Sequence, residues 1–211
     1  MIPAVTTLKT EIRASGARNS VRIIGGGWRG RRVAFPDLPG LRPTPDRVRE
    51  TLFNWLQQAV AGSRCLDLFA GSGALGLEAL SRGAMQVVFV EQAVAAARGL
   101  KEQLRRLGGD LKGRVMEMGA ARFLRTPEEP FDIVFLDPPF GRDALAEYVP
   151  MLDEGNWLKV GGLVYLENAK TAGTPKLPAH WEIIKSKAAG EVGYHLARVN
   201  APVGLMHTRS A

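Results

Sequence analysis

The sequence predicts an α/β chain: a doubly wound, mostly parallel seven-stranded sheet with an antiparallel hairpin at its C-terminal edge, preceded by a small β-hairpin and a helix. Three observations carry this expectation. From Arg64 onward, "CLDLFA", "VVFVE", "RVMEM", "DIVFLD" and "LVYLEN" are short apolar runs separated by helix-periodic segments. Continuous apolar strands alternating with helices belong to a parallel sheet covered on both faces. Near the end, "WEIIKSK" and "VGYHLARV" follow one another with only a glycine-containing turn between them, which predicts antiparallel strands at one sheet edge.

At 211 residues and 45% hydrophobic composition, the chain is long enough for one full core. Its single cysteine excludes an internal disulfide framework and a thiolate metal cage, so no metal is expected and Cys65 reads as a small core residue. No apolar run reaches the roughly 18 residues needed to span a bilayer. The opening "MIPAVTTLKTEIRASGARNS" lacks the apolar segment of a secretion signal. Residues 1–20 therefore read as a disordered leader and the chain as cytoplasmic, with no membrane partner.

The net charge of +7 is unevenly spread. Residues 1–56 hold 10 Lys and Arg against 4 Asp and Glu, whereas residues 57–211 hold 18 against 17. The early excess is mostly arginine, whose planar fork suits phosphate. A solvated basic face is the other reading. The organisation expected is a leader (1–20), a basic hairpin and helix (21–56) and the main α/β domain (57–211).

Element by element, "VRIIGGGWRGRRVAFP" shows β-type runs at 21–24 and 32–35 around a glycine-rich connection, a hairpin with a long loop. In "RPTPDRVRETLFNWLQQAV", Thr44 is the expected helix N-cap, with Pro45 at the first helical position and Asp46 in the first turn. Val48, Leu52, Trp55 and Leu56 share one stripe, which makes the helix amphipathic. A second amphipathic helix carries Val94, Ala97, Leu100, Leu104 and Leu107.

"DLFAGSGALG" places Gly71, Gly73 and Gly76 in a G-x-G-x-x-G directly after a strand and at the start of a helix, and Glu91 closes the next strand 20 residues after Gly71. This context is the one a nucleoside-cofactor fingerprint requires: glycines admit the ligand closely, and the second carboxylate accepts ribose hydroxyls. Asp67 narrows the cofactor. A carboxylate beside the loop repels the pyrophosphate of NAD, whereas S-adenosylmethionine carries an ammonium and a sulfonium that it can pair with.

"VFLDPPF", residues 134–140, runs a strand into an aspartate and two prolines. Proline has no N–H and cannot continue a ladder, so the loop stops the strand at its carboxyl end, where ligands of doubly wound sheets bind. The Asp137 carboxylate and the Pro138 carbonyl make an acceptor pair for the two hydrogens of an exocyclic amine. Holding both turns the lone pair toward a methyl donor, and Phe140 can stack on an extruded base.

"DPPF" resembles the [DNS]-P-P-[FYW] motif of amino methyltransferases. "VRIIGGGWRGRR", "RPTPDRVRETLFNWL", "CLDLFAGSGALGLEALSRGA" and "VFLDPPF", in this order, resemble the RsmD family, which methylates the N2 amine of a guanine in bacterial 16S ribosomal RNA. The likeness runs from about residue 21 to about residue 199. It implies a Rossmann-like class I methyltransferase fold, S-adenosylmethionine as donor, and 16S ribosomal RNA within the small ribosomal subunit as partner of a monomeric enzyme. Asp137, Pro138 and Phe140 then form the catalytic set. Asp67, Gly71, Ser72, Gly73, Glu91, Gln92 and Ala120 form the cofactor set, and Arg22, Trp28, Arg29, Arg31, Arg32, Arg42 and Arg47 the RNA-binding set. The third strand of such proteins often ends in Asp or Asn near the adenine, whereas this chain has Gly119 and Ala120 there.

Trp28 among arginines suits stacking on RNA, with core packing as its other reading. His180, His195 and His207 are scattered and read as structural or surface residues. Two further functions remain open on sequence: a DNA adenine N6-methyltransferase using the same loop, and a non-catalytic RNA-binding ribosome assembly factor.

Overall fold

The computed structural model describes residues 19–139 and 144–202. The expected leader lies almost wholly outside them, as does Phe140. An antiparallel ribbon of β1 (Ser20–Arg22) and β2 (Arg32–Ala34) comes first, with Val21 opposite Val33 and Arg22 opposite Arg32. Val21 and Val33 are buried while the arginines are exposed, as pleating requires of alternate residues. The helix α1 (Asp46–Trp55) follows an extended stretch.

The main sheet then alternates strand and helix: β3 (Arg64–Asp67), α2 (Ala74–Ser81), β4 (Gln86–Val90), α3 (Val94–Leu107), β5 (Gly113–Met116), the short α4 (Ala120–Phe123), β6 (Phe131–Leu136), α5 (Ala144–Glu154) and β7 (Leu158–Ala169). It closes with β8 (Trp181–Ala189) and β9 (Val192–Val199). The spatial order is β5-β4-β3-β6-β7-β9-β8, seven strands as expected. The first five run parallel, and β9 is inserted antiparallel between β7 and β8. The chain winds outward through β3, β4 and β5, then returns to the other side of β3 with β6. This reversal opens a crevice at the carboxyl ends of β3 and β6. Asp67 ends β3, and Asp137 directly follows β6.

Alternation along the strands divides the core. Cys65, Phe89, Ile133 and Phe135 face one hydrophobic cluster, and Leu66, Val88, Val134 and Leu136 face the other. Val21, Ile23, Val33, Val48, Leu52 and Phe53 belong to the first cluster, so the N-terminal ribbon and α1 share a core with the sheet. Among the described residues no helix is long and apolar enough to cross a membrane.

Two local expectations are corrected. Thr44 does not cap α1; Pro45 holds the cap position with no side-chain hydrogen bond, and the Thr44 hydroxyl is turned elsewhere. The buried face of α1 is also wider than its apolar stripe, because it includes Arg49, whose side chain has no solvent exposure.

Candidate active site

The glycine loop connects β3 to α2. Gly71 has φ +51° and borders a cavity of about 770 Å³, and a Cβ there would lie 2.8 Å from Leu41 Cδ1. Gly73 follows two residues later. It is not among the cavity-lining residues, and with φ +76° at the start of α2 an added Cβ would lie 2.5 Å from Leu100 Cδ1. Gly76 is likewise a packing glycine, since a Cβ would meet the Phe89 ring at 2.2 Å. Gly71 borders the cavity, and at Gly73 and Gly76 the missing Cβ lets helix and sheet close on each other.

Two carboxylates set the loop. The Gly76 N–H donates to Asp67 Oδ2 at 3.0 Å, and the Gly71 and Ala93 N–H groups donate to Glu91 Oε2 and Oε1 at 2.8 and 2.6 Å. Each oxygen of Glu91 retains a lone pair for a further donor. The structure brings Asp67, Gly71, Ser72, Glu91, Gln92 and Ala120 to one cavity, together with Asp137 and Pro138. Gly119 and Ala120 form a wall of small residues, and Gln92 Oε1 lies 3.7 Å from where a Gly119 Cβ would stand.

Part of the enclosure comes from residues without an expected place in it. The whole stretch 38–44 lines the cavity, as do Phe69 and Tyr148, whose rings meet edge to face at 5.0 Å. The available signal was "FPDLPGLRPTP", a long proline-rich connection without periodicity, the kind of loop that carries function.

Asp137 is half-buried and accepts a hydrogen bond from Thr44 Oγ1 at 3.0 Å. Burial pushes its carboxyl up to about 6. Asp67 is pushed up to about 7, by burial first and then by the charges of Asp137 and Glu91. Glu167 on β7, which accepts the Tyr165 hydroxyl at 2.6 Å, is pushed up to about 8 by burial and then by Asp137. Among the described residues neither Asp67 nor Asp137 has an ion-pair partner. Acids set into a cleft with no ion pair of their own favour a cationic ligand. Pro138 is buried, and no described N–H reaches its carbonyl.

Comparison with known proteins bears on this geometry. Residues 21–198 match the model of a family described as Conserved hypothetical protein 95. Ribosomal RNA small subunit methyltransferase D of Escherichia coli K12 is 48% identical over 176 residues, which cover 83% of this chain and 88% of that protein. The protein of the same name from Haemophilus influenzae is 44% identical, over 88% of this chain and 97% of its own. This chain belongs to the RsmD family. The solved structure of yhhF from Escherichia coli overlaps it with a TM-score of 0.82 at 43% identity, covering 87% of this chain and 100% of that one.

The family match begins at residue 21, so it takes in the basic ribbon as well as the glycine and D-P-P loops of this RsmD-family chain. Arg22, Arg29, Arg31, Arg32, Arg42 and Arg47 are exposed, and Arg42 also lines the cavity. Arg22 pairs with Asp46 at 3.4 Å. Trp28 is placed differently from a free stacking platform: its ring is half-buried, 2.7 Å from where a Gly109 Cβ would stand, and packs on the core. Arg49 takes one of the early charges inside the protein, so the basic surface is smaller than the charge count suggests. His195 is buried with Nδ1 2.7 Å from Ser186 Oγ, and His180 lies 2.9 Å from Asp153; neither lines the cavity.

Proposed function

We propose that the chain transfers the methyl group of S-adenosylmethionine to the N2 amine of a guanine in bacterial 16S ribosomal RNA, on the small subunit or an assembly intermediate. The observation that carries this reading is one shared cavity lined by the Asp67 and Glu91 carboxylates and by the Asp137–Pro138 acceptor pair. S-adenosylmethionine supplies a methyl group made electrophilic by its sulfonium. Asp67 pairs with the ammonium, Glu91 uses its remaining lone pairs on the ribose hydroxyls, and Gly71, Ser72, Gln92 and Ala120 enclose the nucleoside. Gly73 supports the loop from behind.

The Asp137 carboxylate and the Pro138 carbonyl accept the two N2 hydrogens, which directs the nitrogen lone pair at the methyl carbon. As the N–C bond forms, the C–S bond breaks and its electron pair stays on sulfur. The resulting ammonium is acidic enough to lose its proton to water, so no dedicated base is needed. In this reading residues 57–211 carry the chemistry. Segment 21–56 holds RNA phosphates through Arg22, Arg29, Arg31, Arg32, Arg42 and Arg47, while Trp28 fixes the ribbon loop. The enzyme works in the cytoplasm, where subunits assemble, and as a monomer.

Labelled S-adenosylmethionine offered with naked 16S RNA, assembled small subunits and duplex DNA tests this. Label recovered as N2-methylguanosine from RNA is the expected result. Label in DNA adenine, or bound cofactor with no transfer in any arm, overturns it.

A further inference from the structure

Thr44 directly precedes Pro45, which holds the N-cap position of α1. Its hydroxyl reaches across to Asp137 Oδ2 at 3.0 Å, 93 residues away in sequence. The side chain is nearly inaccessible and borders the cavity. A carboxylate torsion is broad and two-fold, so a donor held on one oxygen decides which oxygen is left for substrate.

The Thr44 main chain is itself held. Its carbonyl accepts Arg49 Nε at 3.1 Å, and Arg49 Nη2 donates to the Arg22 carbonyl at 2.8 Å. Arg49 also pairs with Glu78, which accepts the N–H groups of Ile24 and Gly25 at 2.8 Å each. A continuous run of bonds therefore links the basic ribbon to the carboxylate at the end of β6.

We propose that Thr44 is a positioning residue for methyl transfer: it commits Asp137 Oδ2 and so presents Oδ1 to the acceptor amine, in an orientation anchored to the RNA-holding ribbon. This rests on the reading of Asp137 as the amine acceptor. Asp67 on β3 and Tyr165 and Glu167 on β7 act on Asp137 and disfavour its charge, with Glu91 beyond Asp67, and Arg42, Arg122 and Glu147 line the same cavity. The Thr44 hydroxyl is the hydrogen-bond donor that favours the charged form.

The experiment compares wild type, Thr44→Val and Thr44→Ser in single-turnover transfer to small subunits across pH, with S-adenosylmethionine affinity measured in parallel. Valine keeps the shape and removes the donor. The expected outcome is a rate loss of roughly tenfold or more for Thr44→Val, the size of a lost hydrogen bond to a charged group. The acid limb of its rate profile moves to higher pH, cofactor affinity is unchanged, and Thr44→Ser restores rate and limb together. A Thr44→Val enzyme as fast as wild type overturns the inference. So does one that is slower with its limb unmoved and no rescue by serine, since a purely structural role behaves that way. A wild type that transfers no methyl to guanine overturns the reaction as well, whereas an active wild type matched by Thr44→Val overturns the Thr44 assignment alone.

Discussion

Arg49 and Glu78 meet at 3.4 Å with both side chains fully buried, and between them they join α1, α2 and the N-terminal ribbon. Glu78 also accepts Arg82 Nε at 2.7 Å, so its carboxylate satisfies two backbone and two guanidinium donors. Removing one partner of a buried pair strands the others.

Glu78→Ala is therefore expected to lower unfolding free energy by about 3–5 kcal/mol. Urea denaturation of variant and wild type checks this. A loss within about 1 kcal/mol would mean that water replaces the carboxylate and that the junction is looser than its geometry.

The raised Asp67 carboxyl gives a pH prediction. Its ordinary value is 3.8 and its folded value about 7, so between the two the folded state holds more protons than the unfolded one. The stability linked to this group is present at low pH and falls as pH rises through the folded value. Asp67→Asn removes the dependence, so the variant gains on wild type from about pH 4 to about pH 7 and tracks it above. S-adenosylmethionine affinity of the wild type rises over the same window, because the ionised carboxylate pairs with the ammonium. Denaturation and calorimetry at both ends of the window measure these trends; stability curves of variant and wild type that stay parallel contradict the account.

Arg29, Arg31 and Arg32 are exposed on the ribbon. Replacing all three with alanine should weaken RNA binding and flatten its log-log salt dependence by roughly 0.7 to 0.9 per lost phosphate contact. Cofactor affinity serves as the control and stays constant. Equal slopes for the two proteins would leave the ribbon without a substrate role.

Much of this site is legible in sequence because its parts sit at strand ends. Asp67, Glu91 and Asp137 each close an apolar run, and a doubly wound sheet gathers such ends on one side, so spacing alone brings them together. Gly71 is legible for the same reason. The close packing at Gly73 and Gly76 is not legible, because the pattern does not reveal whether a glycine admits a ligand or a neighbouring Leu100 or Phe89. Thr44 and the 38–44 wall are illegible because their partners are tertiary: the rule that predicts a cap is local, whereas Pro45 takes the cap position and the Thr44 hydroxyl meets Asp137, just past a distant strand. Arg49 and Glu78 escape notice for a related reason, since burial of either charge makes sense only with the other in place.

The most direct test of the central claim is single-turnover methyl transfer to small subunits by Asp137→Ala and wild type, with S-adenosylmethionine affinity measured by calorimetry on the same preparations. Because Asp137 is assigned to the acceptor side, the account predicts a rate loss of at least about tenfold with cofactor affinity nearly intact. An unchanged rate, or a collapse of cofactor binding with the acceptor step preserved, would contradict it.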